Sequence, residues 1–129
     1  MERDLLAAID RFQACGERRD VAGADALLHE RYALVLVQPH EVVMPRDRWL
    51  ALLPDYLIHR YERHALVVDE QGDCGVSVQR ASMSATVLGE DRSGDFVISD
   101  VWLRDDTRGW LLWRRHSTPL SAGRMPGAA

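Results

Sequence analysis

The apolar positions at the start of the chain repeat with a helical period. Leu5, Leu6, Ile9 and Phe12 form one stripe while Glu2, Asp10, Glu17, Arg18 and Arg19 are polar, which predicts an amphipathic helix over 3–19. Gly16, near its end, is consistent with fraying or a close approach. Asp20 is placed to cap a shorter helix over 21–30 that packs through Val21, Ala24, Leu27 and Leu28. From Tyr32 to Val37 the chain becomes β-branched and apolar, a strand closed by Gln38-Pro39. His40 to Met44 predicts a second short strand. Pro45 then opens a helix that runs to about Leu53, and Pro54 ends it.

Beyond that point the pattern has period two. Strands are expected near 56–69, 74–88 and 95–105, with a last one from Trp110 to Ser117. The polar turn Asp105-Asp-Thr-Arg-Gly109 joins the final pair. The 74–88 segment changes phase: Val76 and Val78 are apolar at even positions, Ala81, Met83, Ala85 and Val87 at odd ones. One extra residue near Gln79–Arg80 restores the alternation and predicts a β-bulge. Bulges bend strands, and a bent sheet wrapped around a helix makes a cone with a cavity. In the 95–105 strand Val97, Val101 and Leu103 alternate with Phe96, Ile98, Asp100 and Trp102. A lone carboxylate among apolar neighbours is costly to bury unless something pairs with it or neutralises it. Asp100 is therefore the first candidate for chemistry, with Ile98 and Trp102 on its face.

Composition narrows the partners. With 129 residues, 47% of them hydrophobic and 28% charged, the chain is one ordinary globular domain able to bury a core without disulfides or metal. A net charge of −4 and no basic tail exclude nucleic acid as a partner. No signal core and no membrane-spanning stretch is present, so a cytoplasmic protein without membrane contact is expected. Cys15 and Cys74 have no metal or redox spacing and read as reduced, buried thiols. Of the five histidines, His59 and His64 stand five apart on a strand and face opposite sides, so they cannot clamp one metal. No metal and no cofactor is expected. The domain is placed at 1–119, and 120–129 has the composition of a flexible tail.

The sequence of Ser99-Asp100-Val101-Trp102, then Gly109-Trp110, then Arg115-His116-Ser117 resembles the last hairpin of the nuclear transport factor 2-like superfamily. Asp20-Val21, Leu27-Leu28 ahead of the first strand, and Arg46 followed by Trp49-Leu50 fall in the same order, so the resemblance covers about residues 3 to 119. It is nearest to the SnoaL-like proteins of unassigned function. The resemblance implies an α+β fold: a curved, mostly antiparallel sheet wrapped around N-terminal and internal helices, the cystatin-like cone. It also implies that Trp113, Arg115 and Ser117 face the cavity while Trp110, Leu112, Arg114 and His116 face outward. The expected cavity wall is then Phe12, Tyr32, Asp100, Trp102, Trp113, Arg115 and Ser117. Trp110, Leu112 and Val101 would leave an apolar outer face that a homodimer covers.

Within this superfamily, ketosteroid isomerase needs a general base, a Tyr and a protonated Asp. Asp100 falls on the protonated Asp, but Phe12 replaces the Tyr and Gln38 the base, which argues against that mechanism. Arg115 can pair with Asp100, either as a structural brace or as part of a functional site. Three functions follow. One is binding of a small hydrophobic or polyketide-like molecule. Another is a SnoaL-like isomerase, cyclase or dehydratase using Asp100 as acid or base. The third is a dimerisation module without chemistry, similar to the association domain of calcium/calmodulin-dependent protein kinase II.

Overall fold

The computed structural model describes residues 2–120, with side chains from Asp4 onward. The tail expected over 120–129 lies, Leu120 apart, outside the described residues. The elements are α1 (Glu2–Arg18), α2 (Val21–Leu27), β1 (Leu28–Leu36), β2 (Val42–Pro45), α3 (Arg46–Leu52), a 3₁₀ turn (Leu53–Asp55), β3 (Tyr56–Gln71), β4 (Cys74–Val87), β5 (Glu90–Asp91), β6 (Gly94–Asp105) and β7 (Gly109–Pro119). The strands form one strongly curled sheet in the order β2-β1-β7-β6-β4-β3, with β5 alongside β4. β1 and β7 run parallel, and the other pairings are antiparallel. No helix among the described residues is long and apolar enough to cross a membrane.

The helices form where the pattern placed them, with one difference. Asp20 caps α2 by accepting the Gly23 N–H at 3.0 Å. The helix stops at Leu27 and not at residue 30, because Leu28 turns extended and pairs with Leu112 of β7. Sheet pairing of a fully buried leucine outweighs one more helical turn. The short strand expected at His40–Met44 is displaced to Val42–Pro45, where it pairs with Ala33–Leu36.

The bulges are not where the alternation suggested. β4 pairs with β6 without a break from Cys74–Leu103 to Met83–Gly94, so it has no bulge at Gln79–Arg80. Its inward series is continuous through Gly75, Ser77, Gln79, Ala81 and Ala85, all buried. The apparent phase change arises because Val76 and Val78 point outward while small and polar residues point inward. The register shifts lie in β3, where His59 and His64 are the extra residues against β4. A further one lies in β7: Val101 pairs with Arg114 and Trp102 with Leu112, which leaves Trp113 as the extra residue.

That last bulge reverses the facing of the N-terminal half of β7. Trp110 and Leu112, expected outside, belong to the buried core with Leu5, Ile9, Phe12, Leu28, Tyr32, Trp49 and Trp102. Gly75 makes room for this packing: a Cβ there would fall 2.5 Å from Leu5 Cδ2 and 3.3 Å from the Trp110 ring. The apolar outer face exists, but it is built from other residues. Val67, Val76 and Val78 are 67%, 41% and 40% exposed, and Val67 pairs directly with Val78 across β3 and β4.

Candidate functional site

Asp100 and Arg115 are register partners on β6 and β7, both beyond the bulge and both turned inward. Arg115 donates from Nε to Oδ1 at 2.8 Å and from Nη2 to Oδ2 at 2.9 Å, a two-pronged contact that engages both carboxylate oxygens. The Asp100 side chain is 0% exposed and that of Arg115 16%. Burial alone would lower the Arg115 pKa, but the charge and hydrogen bonds of Asp100 hold it above its ordinary value. The guanidinium also lies over the Phe12 ring, 4.9 Å from its centre. Burial pushes the Tyr32 and Tyr61 hydroxyls upward, so both phenols stay neutral at physiological pH.

A cavity of about 70 Å³ opens beside this pair, between the C-terminal half of α1 and the curled sheet. Phe12, Gln13 and Gly16 line it from α1, Leu34 from β1, and Trp49 and Leu53 from α3 and the turn after it. β3 contributes Tyr56, Ile58 and Tyr61; Met83, Arg92, Ile98, Arg115 and Ser117 complete the wall. Phe12 and Trp49 stack at 5.5 Å, which gives one side a flat aromatic surface. The opposite side is polar. Arg92 donates from Nε to the Tyr56 hydroxyl at 3.2 Å and from Nη2 to Ser117 Oγ at 3.4 Å, with its guanidinium over Phe96. Tyr61 donates its hydroxyl proton to Gln79 Oε1.

The structure therefore brings only part of the expected site together. Phe12, Arg115 and Ser117 line the cavity. Tyr32, Asp100 and Trp102 are buried in the layer behind it, between 0% and 1% exposed. Trp113 sits at the β7 bulge beneath the Arg114 guanidinium, 4.5 Å away, and does not line the cavity. Arg92, Ile58 and Met83 line it without having been singled out as ligand contacts. Gln38 lies on an outer groove with Pro39 and Arg48 and does not line the cavity. Of the histidines, His64 Nε2 contacts Ser82 Oγ at 2.6 Å, and Ser82 in turn donates to Asp95. That order is wrong for a nucleophile, since the serine proton goes to the carboxylate and not to the imidazole. No group of three or more His, Cys, Asp or Glu that could hold a metal ion occurs among the described residues.

Neither a family model nor a curated protein matches the sequence. Solved structures do match over nearly the whole chain. A protein of unknown function in nutrient uptake from Rhodospirillum rubrum, described as NTF2-like, superposes with a TM-score of 0.83 at 22% identity, covering 91% of this chain and 98% of that one. The fold is that of the nuclear transport factor 2-like superfamily. An NTF2-like protein from Cytophaga hutchinsonii agrees with a TM-score of 0.82 at 15% identity over 93% of this chain and 99% of that one. A CaMKII hub from S. rosetta superposes with a TM-score of 0.70 at 12% identity, over 90% of this chain and 94% of that one. The α+β cone expected from the sequence is thus the observed architecture. At these identities the likeness is one of fold.

Proposed function

We propose that this chain binds a small organic molecule in the cavity of the cone and carries out no acid–base chemistry at Asp100. One observation carries this reading: the cavity wall holds no His, Cys, Asp, Glu or Lys. Its charged groups are Arg92 and Arg115, and guanidiniums neither take nor give a proton in proteins. Asp100 is behind the wall with both oxygens on Arg115, so it reaches no ligand. The volume supports a small ligand with an apolar body over a polyketide skeleton. About 70 Å³ is well below the roughly 300–1,000 Å³ of pockets for drug-sized molecules. Ligand-observed NMR with a library of small aromatic and aliphatic fragments tests the reading. Ile58→Trp fills the cavity from β3. Fragments should bind the wild-type protein and not this variant, with its melting temperature as a check on folding. Equal binding to both would sink the proposal.

The outer valine face supports a homodimer as the form that carries this cavity. Val67, Val76 and Val78 make an exposed apolar row on β3 and β4, which water does not favour. Sedimentation should give a dimer that Val78→Glu splits into folded monomers. A wild-type protein that sediments as a monomer at micromolar concentration would refute it. Trp110→Glu does not serve as a probe, because Trp110 is in the core.

A further inference from the structure

The polar side of the cavity has an unbalanced charge. Arg115 is neutralised by Asp100, whereas Arg92 meets only neutral groups: the Tyr56 hydroxyl, Ser117 Oγ and the Phe96 face. Among the described residues no carboxylate lies within ion-pair distance of it. A cation in a largely apolar, partly closed site is unfavourable unless an anion or a full set of acceptors meets it. The lining carries donors in excess. Arg92 spends one Nε and one Nη2 hydrogen on neutral oxygens, and Arg115 spends the same two groups on Asp100, so each of these forks keeps further N–H groups. Ser117 accepts from Arg92 and keeps its own hydroxyl proton to give. It stands two residues from Arg115 on the same strand, about 6–7 Å along β7, so the two guanidiniums are neighbours.

We propose that the cavity is a site for a small organic monocarboxylate, held by Arg92 with Ser117 and Arg115, its apolar part lying against Phe12 and Trp49. This deepens the binding function proposed above and rests on it. The single uncompensated charge selects one negative charge on the ligand, and the planar fork selects a carboxylate over a spherical anion. The volume sets the size. About 70 Å³, at roughly 10–15 Å³ for each water-sized group, leaves room for about five to seven non-hydrogen atoms. Arg92 belongs to the wall of both the inner cavity and the outer groove that contains Phe96 and Pro119. Its head group therefore stands where the groove and the cavity share a wall.

Calorimetric titration of the full chain with pentanoate and with pentanamide separates charge from shape. Wild-type protein should bind the carboxylate about tenfold or more tighter than the amide, the increment expected of charge-assisted hydrogen bonds. Arg92→Met should bring the two affinities together by weakening pentanoate alone. Arg92→Lys keeps the charge without the fork and should fall between. If wild-type protein binds both probes equally, the carboxylate assignment is overturned and the binding function stands. If it binds neither at about 10 mM, both are overturned. A preference for pentanoate that survives Arg92→Met removes Arg92 from the site.

Discussion

Asp100→Asn removes one negative charge from the interior and little volume. The Arg115 guanidinium, with its side chain 16% exposed, then faces an amide whose N–H₂ group is a donor aimed at donors. Breaking a buried pair in this way costs about 3–5 kcal/mol, because the remaining charge stays desolvated. Unfolding entropy of about 2.1 cal/mol/K per residue gives roughly 0.27 kcal/mol/K for a chain of 129 residues. The expected fall in Tm is therefore about 11–18 °C. Thermal melts followed by circular dichroism at neutral pH measure it directly. The cycle is completed by Arg115→Met alone and by Asp100→Leu with Arg115→Met. The double variant should lie close to the wild type, since removing both charges leaves neither stranded. An Asn variant that melts within about 3 °C of the wild type would show that the pair is not the brace described here.

Gly75→Ala should destabilise the fold by about 1–3 kcal/mol, since the new methyl overlaps Leu5 and crowds Trp110; chemical denaturation measures this, and an unchanged midpoint would mean that α1 shifts freely. Asp105 accepts the Arg108 N–H at 2.8 Å and the Thr107 N–H at 2.9 Å in the last hairpin, and these bonds hold its carboxyl below the usual range. Because the folded-state value is the lower one, its stabilisation is present above the unfolded value and is lost as pH falls through the folded one. The Tm gap between wild type and Asp105→Ala should be constant above about pH 5 and narrow below the ordinary carboxylate range. A gap that stays constant down to low pH would contradict the hydrogen-bonding account.

The helices and the number of long strands were legible because their apolar stripes answer to a single buried face. The facing of the last strand was not. Alternation counted from Arg115 puts Trp110 and Leu112 outside, and only the extra residue Trp113 brings them in. Nothing in Leu111-Leu-Trp-Arg114 marks that residue, since apolar side chains occupy successive positions there. β4 misled in the opposite sense. Its inward face carries Gly75, Ser77 and Gln79, which reads as a solvent face, while Val76 and Val78 lie outside. Gln79 is tolerated inside because the Tyr61 hydroxyl donates to its side-chain oxygen, whereas the small Ser77 is buried with its hydroxyl unpartnered by any described side chain or backbone group. Arg92 was missed for a related reason. It sits in Gly89-Glu-Asp-Arg-Ser-Gly94, which has turn composition, and a turn arginine ordinarily points to water. Asp100 stood out because a lone carboxylate on an apolar strand demands a partner, and it was the resemblance of the last hairpin to the superfamily that turned Arg115 to the same side.

The parallel pairing of β1 with β7 has a consequence for how the protein is made. Leu34 meets Arg115 and Leu36 meets Ser117, contacts that span roughly 80 residues of chain and sit in the middle of the sheet. A ribosome adding about 5–20 residues each second leaves β1 without that neighbour for several seconds. During that interval β1 presents an open edge, and β6 with Trp102 joins it only at the end, just before β7 emerges. The cone therefore closes in a single late event, after the last hairpin has emerged. A chain stopped anywhere before residue 109 lacks the strand that joins its two halves, and its exposed edges are open to pairing with other chains.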